Sequence, residues 1–124
     1  MIHYPLDESY CIDHFSIIEV KCDKAAPSKK ENLIQQLRFY RNHLQEVIGD
    51  ELFSDILNSI EYKKLKHANL KIFETVDNLK KYNINAQAVD QLNHLRWQIK
   101  NEIQIKFFGK PTNEIKLGYK KYES

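Results

Sequence analysis

The chain has 124 residues, the length of one typical domain, and a mass of 14.8 kDa. Apolar residues make up 42% and charged residues 29%, a balance that excludes wholesale disorder. With 3 glycines and 3 prolines, the chain is poorly suited to the many tight turns of an all-β protein. No apolar run approaches the roughly 18 residues of a membrane span, and residues 1–10 lack the pattern of a signal peptide. We therefore predict one domain over 1–124 that does not enter a membrane.

The net charge of +2 conceals an uneven distribution along the chain. Residues 1–62 hold 6 Lys or Arg and 11 Asp or Glu, a net −5, whereas residues 63–124 hold 13 and 6, a net +7. Two interpretations follow: the halves attract each other within a fold or a dimer, or the basic half faces an acidic partner. In a compact protein we expect the first.

The two cysteines, Cys11 and Cys22, indicate a reducing compartment. On one continuous helix they would lie about 16 Å apart along the axis. A disulfide needs Cα atoms within roughly 7 Å of each other, so the two cannot pair there. We therefore expect free thiols and a cytoplasmic protein.

The first half of the chain predicts two amphipathic helices. Apolar residues recur at helical spacing around Phe15, which predicts a first helix over about 9–24. Ser28 and Glu31 have the spacing of a capping box and predict the start of the second helix. Gly49 is the residue type that ends helices, and we expect the second helix to stop there.

The second half predicts two longer helices. Asp50 is a possible cap for a third helix of about 30 residues that reaches Lys81, with a possible kink near residues 58–62. A short turn ends at Asn85, a reasonable cap for the fourth helix. That helix ends at Gly109, which Pro111 follows.

Short connections between amphipathic helices predict the fold class: an all-α, antiparallel helical bundle of about four helices. The third and fourth helices should form its long hairpin, and residues 111–124 a loosely packed tail. Because this hairpin is longer than the first two helices can cover, we expect apolar surface for a second copy and hence a homodimer.

Three segments carry a family resemblance. Cys11–Lys21 reads CIDHFSIIEVK and resembles the pattern L-x-D-K-x-x-I-L-E-I-K. Asn69–Lys80 reads NLKIFETVDNLK, similar to N-x-x-L-W-x-x-E-D-x-I-R. Val89–Lys100 reads VDQLNHLRWQIK, similar to V-Y-x-x-N-D-x-R-A-x-x-K. In this order the segments resemble an uncharacterised bacterial family of small helical proteins, a domain of unknown function. The resemblance implies a bacterial helical protein and carries no activity.

The chain departs from the family patterns at four polar positions: His14, Val76, Asp90 and His94. In size and helical character it is also similar in kind to a dimeric Legionella inhibitor of ubiquitin-modifying effectors. This likeness implies a protein that binds and regulates an enzyme.

A set of polar residues on the third and fourth helices is predicted to meet between them. Because Asp77 is placed to pair with Arg96 or Lys100 across the hairpin, we interpret the set as contacts that fix helix register. The alternative is a small enzyme with a polar site here. The complete set is Asn69, Asp77, Asn93, Arg96 and Lys100.

No motif supplies a catalytic residue, a metal site or a cofactor site. The five histidines lack the spacing of a helical zinc site. Cys11 and His14 share one helix face, but they would provide two ligands at most. A Cys11 nucleophile would also need a base and an oxyanion site, which the sequence does not supply. We predict a protein without catalytic, metal or cofactor residues.

Basic residues in the second half suggest an alternative partner. The stretch Lys63, Lys64, Lys66, His67 and Lys71 could contact nucleic-acid phosphates, although a solvated helix face explains it more simply. No helix-turn-helix or zinc-knuckle pattern accompanies it.

Four aromatic residues are candidate anchors for a protein partner, since large amphipathic rings dominate many interfaces. They are Tyr82, Trp97, Tyr119 and Tyr122. The leading hypothesis is a non-enzymatic interaction protein that binds and regulates a partner enzyme, with inhibition as the most concrete form of that regulation. Nucleic-acid binding and a small enzyme are the alternatives.

Overall fold

The structure is a computed structural model that describes residues 7–82 and 87–112, except the side chains of 78–82. Over these ranges the chain is all-helical and has no strand, which confirms the predicted class. The helices are α1 (Glu8–Lys24), α2 (Pro27–Ile48), α3 (Asp50–Leu57), α4 (Ile60–Tyr82) and α5 (Gln87–Phe108).

The α1–α2 junction lies where it was predicted, but its capping differs. Ala25 and Ala26 are extended, and Pro27 is the first residue of α2. The fixed φ of proline suits this position, and its missing N–H would have no helical partner there. The predicted capping box at Ser28 is therefore wrong, because Ala26 is the N-cap and α2 starts two residues before the position that the box implies.

Within residues 7–82 and 87–112 the chain forms five helices rather than four, because the predicted third helix is interrupted at residues 58–59. The Ser59 hydroxyl donates to the Ile56 carbonyl at 2.6 Å and accepts the Tyr62 N–H at 3.1 Å. The Asn58 amide donates to the Ser54 carbonyl at 3.0 Å. These polar side chains satisfy the backbone at the end of α3 and the start of α4.

Two glycines end helices as predicted. Gly49 has φ +102° and donates its N–H to Gln45 at 2.9 Å, which closes α2. Gly109 has φ +77° and closes α5 through Ile105 at 3.0 Å. Glycine adopts this left-handed region without a Cβ clash. Asp50 is the first residue of α3 and not its cap, because Gly49 occupies that position.

Helix α1 is the centre of the protein, since it packs against α2, α4 and α5. Its buried side chains are Ser9, Ile12, Asp13, Phe15, Ser16, Ile18, Val20 and Cys22. Phe15 meets Phe53 of α3 edge-to-face, with ring centres 5.5 Å apart. Helix α5 packs along α4 and completes the core with Ile99 and Ile103.

Some predictions fall outside the described residues, namely the Asn85 cap and the tail from 113 onward. Cys11 and Cys22 are both free thiols, as expected. Within the part of the chain that the structure describes, no helix has the length and apolar character needed to cross a membrane.

Candidate functional site

A buried charged cluster joins the three central helices. Asp13 of α1 is only 2% exposed, and the side chains around it come from α4 and α5. Asn69 of α4 and Lys100 of α5 are equally buried, whereas Arg96 of α5 is half-buried. Ionised side chains at this depth need close partners, because burial removes their hydration.

The Asp13 carboxylate receives donors from both neighbouring helices. Asn69 Nδ2 donates to Oδ1 at 3.0 Å, and Arg96 Nε lies 3.0 Å from Oδ1 and 3.1 Å from Oδ2. A second Arg96 nitrogen also donates to Oδ2, and Lys100 Nζ lies 3.7 Å from that oxygen. Two cations and an amide therefore converge on one carboxylate.

Neighbouring side chains extend this cluster. Asn69 Nδ2 also donates to Ser16 Oγ at 2.7 Å, and the Ser16 hydroxyl donates to the Asp13 carbonyl at 2.7 Å. Arg96 donates to Asn93 Oδ1 at 3.4 Å. Because the donors and acceptors meet one another, the arrangement fastens α1 to α4 and α5.

The predicted polar set is therefore only partly brought together. Asn69, Arg96 and Lys100 meet at Asp13, and Asn93 contacts Arg96. The expected pairing of Asp77 with Arg96 or Lys100 is wrong. Asp77 is exposed on α4, and α1 supplies the carboxylate instead.

A second buried contact caps the start of α1 from a distant helix. Gln104 of α5 is fully buried, and its Oε1 accepts the Ser9 N–H at 3.0 Å. Its Nε2 donates to Glu8 Oε2 at 2.7 Å. Asp7 occupies the N-cap position, but its side chain forms no cap bond and accepts from the Thr112 hydroxyl instead. Gln104 thus satisfies a helix-end donor that local sequence leaves open.

Sequence reasoning missed Gln104. The only signal available was its position beside Ile103 on the apolar face of the fourth helix, where a polar residue must find a partner.

A third polar contact joins α1 to the start of α4. The Tyr62 hydroxyl donates to the Glu19 carboxylate. Burial, together with this carboxylate, raises the pKa of Tyr62, so the hydroxyl remains a donor. Lys66 lies 3.3 Å from Asp23 and 3.9 Å from Glu19. These contacts hold α1 in register against α4.

On the outside of the protein, α4 and α5 form a groove of about 380 Å³. Leu92, Leu95 and Ile99 of α5 provide apolar side chains, and Leu95 is 45% exposed. The α4 side is basic. The complete lining is Lys64, His67, Ala68, Lys71, Leu92, Leu95, Ile99 and Glu102.

The groove was not predicted from the sequence. Its basic residues were recognised, but they were assigned to a solvated face, and Leu95 was not singled out. Leu95 lies between Leu92 and Ile99 at helical spacing and widens the apolar stripe of α5. That width was the available signal for a second contact surface.

The predicted aromatic anchors are mostly outside what the structure describes. Trp97 is half-buried, and its ring stacks on that of His94 with centres 6.2 Å apart and 16° between planes. It does not line the groove. The Tyr82 side chain, Tyr119 and Tyr122 lie outside the described residues. All four remain predictions.

No metal centre is evident among residues 7–82 and 87–112, which hold no group of three or more His, Cys, Asp or Glu side chains able to bind one ion. Comparison of the chain with protein-family models, curated proteins and solved structures finds no match. The family resemblance stays a prediction, and the function is argued from the geometry.

Proposed function

We propose that the protein is a non-enzymatic interaction module that binds a partner helix in the α4–α5 groove. The partner helix has an apolar face and acidic flanks. The observation that carries the proposal is the exposed Leu95, at 45%, in a groove with a basic rim. Helix-in-groove recognition uses apolar anchors in this way, and charged rims select the partner.

The charges beside the groove favour an acidic partner. Lys64 and His67 are exposed on α4, and Lys71 is exposed one turn further along. Within the described ranges Lys64 forms no ion pair, and Lys71 lies 3.8 Å from Glu74. Rim cations of this kind speed association and reject basic partners more than they add affinity.

We further infer that α4 and α5 run antiparallel as the long hairpin. Support comes from Lys106 in the last turn of α5, whose ammonium donates to Glu61 in the first turn of α4 at 2.7 Å. Regulation or inhibition of a partner enzyme in the cytoplasm is part of the same proposal.

Two helical peptides of equal length and equal apolar face test the proposal. One carries Glu on both flanks, the other Lys. We expect the Glu peptide to bind the full-length protein at least about 10-fold more tightly by fluorescence anisotropy, because like charges across a rim are unfavourable. Leu95→Asp should abolish this binding with the helical circular dichroism unchanged.

Ile105→Asp is the matched control, since Ile105 is also exposed on α5, at 50%, but does not line the groove. It should leave peptide binding intact. Equal binding of both peptides, or equal loss with both variants, would refute the groove as the binding site.

Nucleic-acid binding is the second candidate, favoured by the exposed Lys63, Lys64 and Lys71 on one helix. A labelled DNA duplex in the same assay separates the two. Phosphate-driven binding should fall steeply between 50 and 500 mM salt, whereas Leu95→Asp should have little effect on it.

A further inference from the structure

An acidic surface lies at the junction of α2 and α3. We define the acidic face by its exposed residues: Glu46, Val47, Asp50, Glu51 and Asp55. Val47 is 65% exposed and is the large apolar side chain of this face. Within the described ranges, none of its four carboxylates forms an ion pair. The acidic face thus combines an exposed apolar side chain with carboxylates that form no ion pair. These are the two features that we propose for the partner of the groove.

Building on the proposed function, we infer that a second copy of this chain supplies the helical partner surface, formed by the end of α2 and the start of α3. The acidic face of one copy docks in the α4–α5 groove of the other. The chain thus carries both halves of one contact, an apolar anchor with acidic flanks and an apolar groove with a basic rim. The acidic face lies in residues 1–62, which carry a net charge of −5, and the groove lies in residues 63–124, which carry +7.

Within one copy, the acidic face cannot fill its own groove by a local change. The break between Leu57 and Ile60 is two residues long, and Phe53 and Ile56 anchor α3 in the core. Two copies related by a two-fold axis make the contact twice, once in each direction. A homodimer of this kind covers both surfaces, and an acidic helix from another protein would compete for the groove.

The test is sedimentation equilibrium of the full-length protein and two variants. Leu95→Asp alters only the groove, and Val47→Lys alters only the acidic face. Each change is at a residue at least 45% exposed, so folding should persist, as circular dichroism will show. We expect wild type to dimerise and each variant to dimerise at least about 30-fold more weakly, the typical loss when an anchor is removed.

Mixing the two variants gives the sharpest result. Leu95→Asp retains an intact acidic face and Val47→Lys an intact groove, so one of the two contacts can form. The mixture should therefore contain a 1:1 heterodimer that neither variant forms alone. If Leu95→Asp is poorly folded, Lys64→Glu provides a second groove variant at an exposed position.

Phe39→Lys and Ile105→Asp serve as controls, because both residues are exposed but belong to neither surface. A monomeric wild type at high micromolar concentration would overturn the inference, as would a dimer that the controls weaken equally or a mixture that stays monomeric. If the wild type is monomeric but binds the Glu peptide, the groove still binds an acidic helix, and only the inference that a second copy occupies it is wrong. If neither peptide nor copy binds, both proposals fail.

Discussion

Helices α1 and α2 differ sharply in burial although both were predicted as amphipathic. Of the 17 residues of α1, eight are buried, including polar Ser9, Asp13 and Ser16. Of the 22 residues of α2, only Leu44 is buried. The difference follows from their neighbours, since α1 packs against three long helices and α2 packs mainly against α1 and α3.

This comparison shows that periodicity identifies the apolar face of a helix but not the number of faces that will be covered. The seam of α2 includes Leu33, Leu37 and Tyr40, which remain half-buried, while Val47 at its end is 65% exposed. In α1 the covered region extends to polar positions, and the buried Asp13 takes its hydrogen-bond donors from α4 and α5.

The largest expected effect comes from removing the buried carboxylate of α1. Asp13→Ala leaves Lys100 buried without this partner and releases Arg96, and loss of one partner of a buried pair typically costs about 3–5 kcal/mol. Chemical denaturation at pH 7 measures this loss in the free energy of unfolding.

Asp23→Ala is the matched control on α1, because the Asp23 side chain is 66% exposed and pairs with Lys66 at 3.3 Å. An exposed pair contributes under about 1 kcal/mol. Arg96→Ala should also lower the melting temperature. If neither Asp13→Ala nor Arg96→Ala changed it, the cluster would contribute nothing to the fold.

An intermediate effect is expected from the distant cap of α1. Gln104→Ala removes the acceptor of the Ser9 N–H and should cost about 1–3 kcal/mol, the cost of an unsatisfied buried donor. Hydrogen exchange should also quicken at the start of α1 more than in α2. Gln98→Ala, at an exposed position of the same helix, should change neither quantity.

A smaller and pH-dependent effect is expected at the α4–α5 contact. The hydrogen bond from Lys106 lowers the pKa of Glu61, so the folded state favours the ionised form. Glu61→Gln should cost up to about 1 kcal/mol at pH 7, as exposed pairs do. The difference from wild type should shrink as the pH falls from about 4.3, the ordinary value of Glu, through the lowered pKa.

Urea unfolding of wild type and Glu61→Gln at pH 7, 5 and 3 measures that difference. Lys106→Gln removes the same ion pair from the α5 side and should reproduce this trend. A gap that widened on acidification would contradict the assigned ion pair.

The smallest effect is expected on the exposed side of α2. Phe39 is 67% exposed and Phe15 of α1 is fully buried, so the same substitution probes both helices. Phe39→Ala should change the free energy of unfolding by less than about 0.5 kcal/mol, whereas Phe15→Ala should cost about 3–5 kcal/mol. Comparable losses would show that α2 is covered in solution.

Helix positions were largely predictable because local rules determine them. The bounds of the first helix and the ends at Gly49 and Gly109 were predicted and confirmed. The break at Asn58 and Ser59 was placed only as a possible kink. The Asn58 and Ser59 side chains hydrogen-bond to backbone groups within a few residues, so the sequence signal for a break is local. The apolar pattern on both sides of these residues instead predicts one continuous helix.

The partners of polar residues were less predictable, since they depend on the tertiary arrangement. From the sequence, Asp77 was paired with Arg96 or Lys100 because their helices were expected to form a hairpin, and Asp13, which is the observed partner, was not considered. The choice depended on α1 lying beside both α4 and α5, which no single helix pattern specifies. The groove was missed for the same reason, because Leu95 and Lys64 become neighbours only when their helices pack.

The bond between Asp13 and Arg96 also constrains the order of events during protein synthesis. The two residues are 83 positions apart in the chain. Ribosomes add about 5–20 residues per second, so Asp13 is made roughly 4–17 s before its arginine. During this interval α2 is the first helix that is available to pack against the apolar side of α1. We therefore expect α2 to pack against the apolar face of α1 during synthesis, before α4 and α5 have been made.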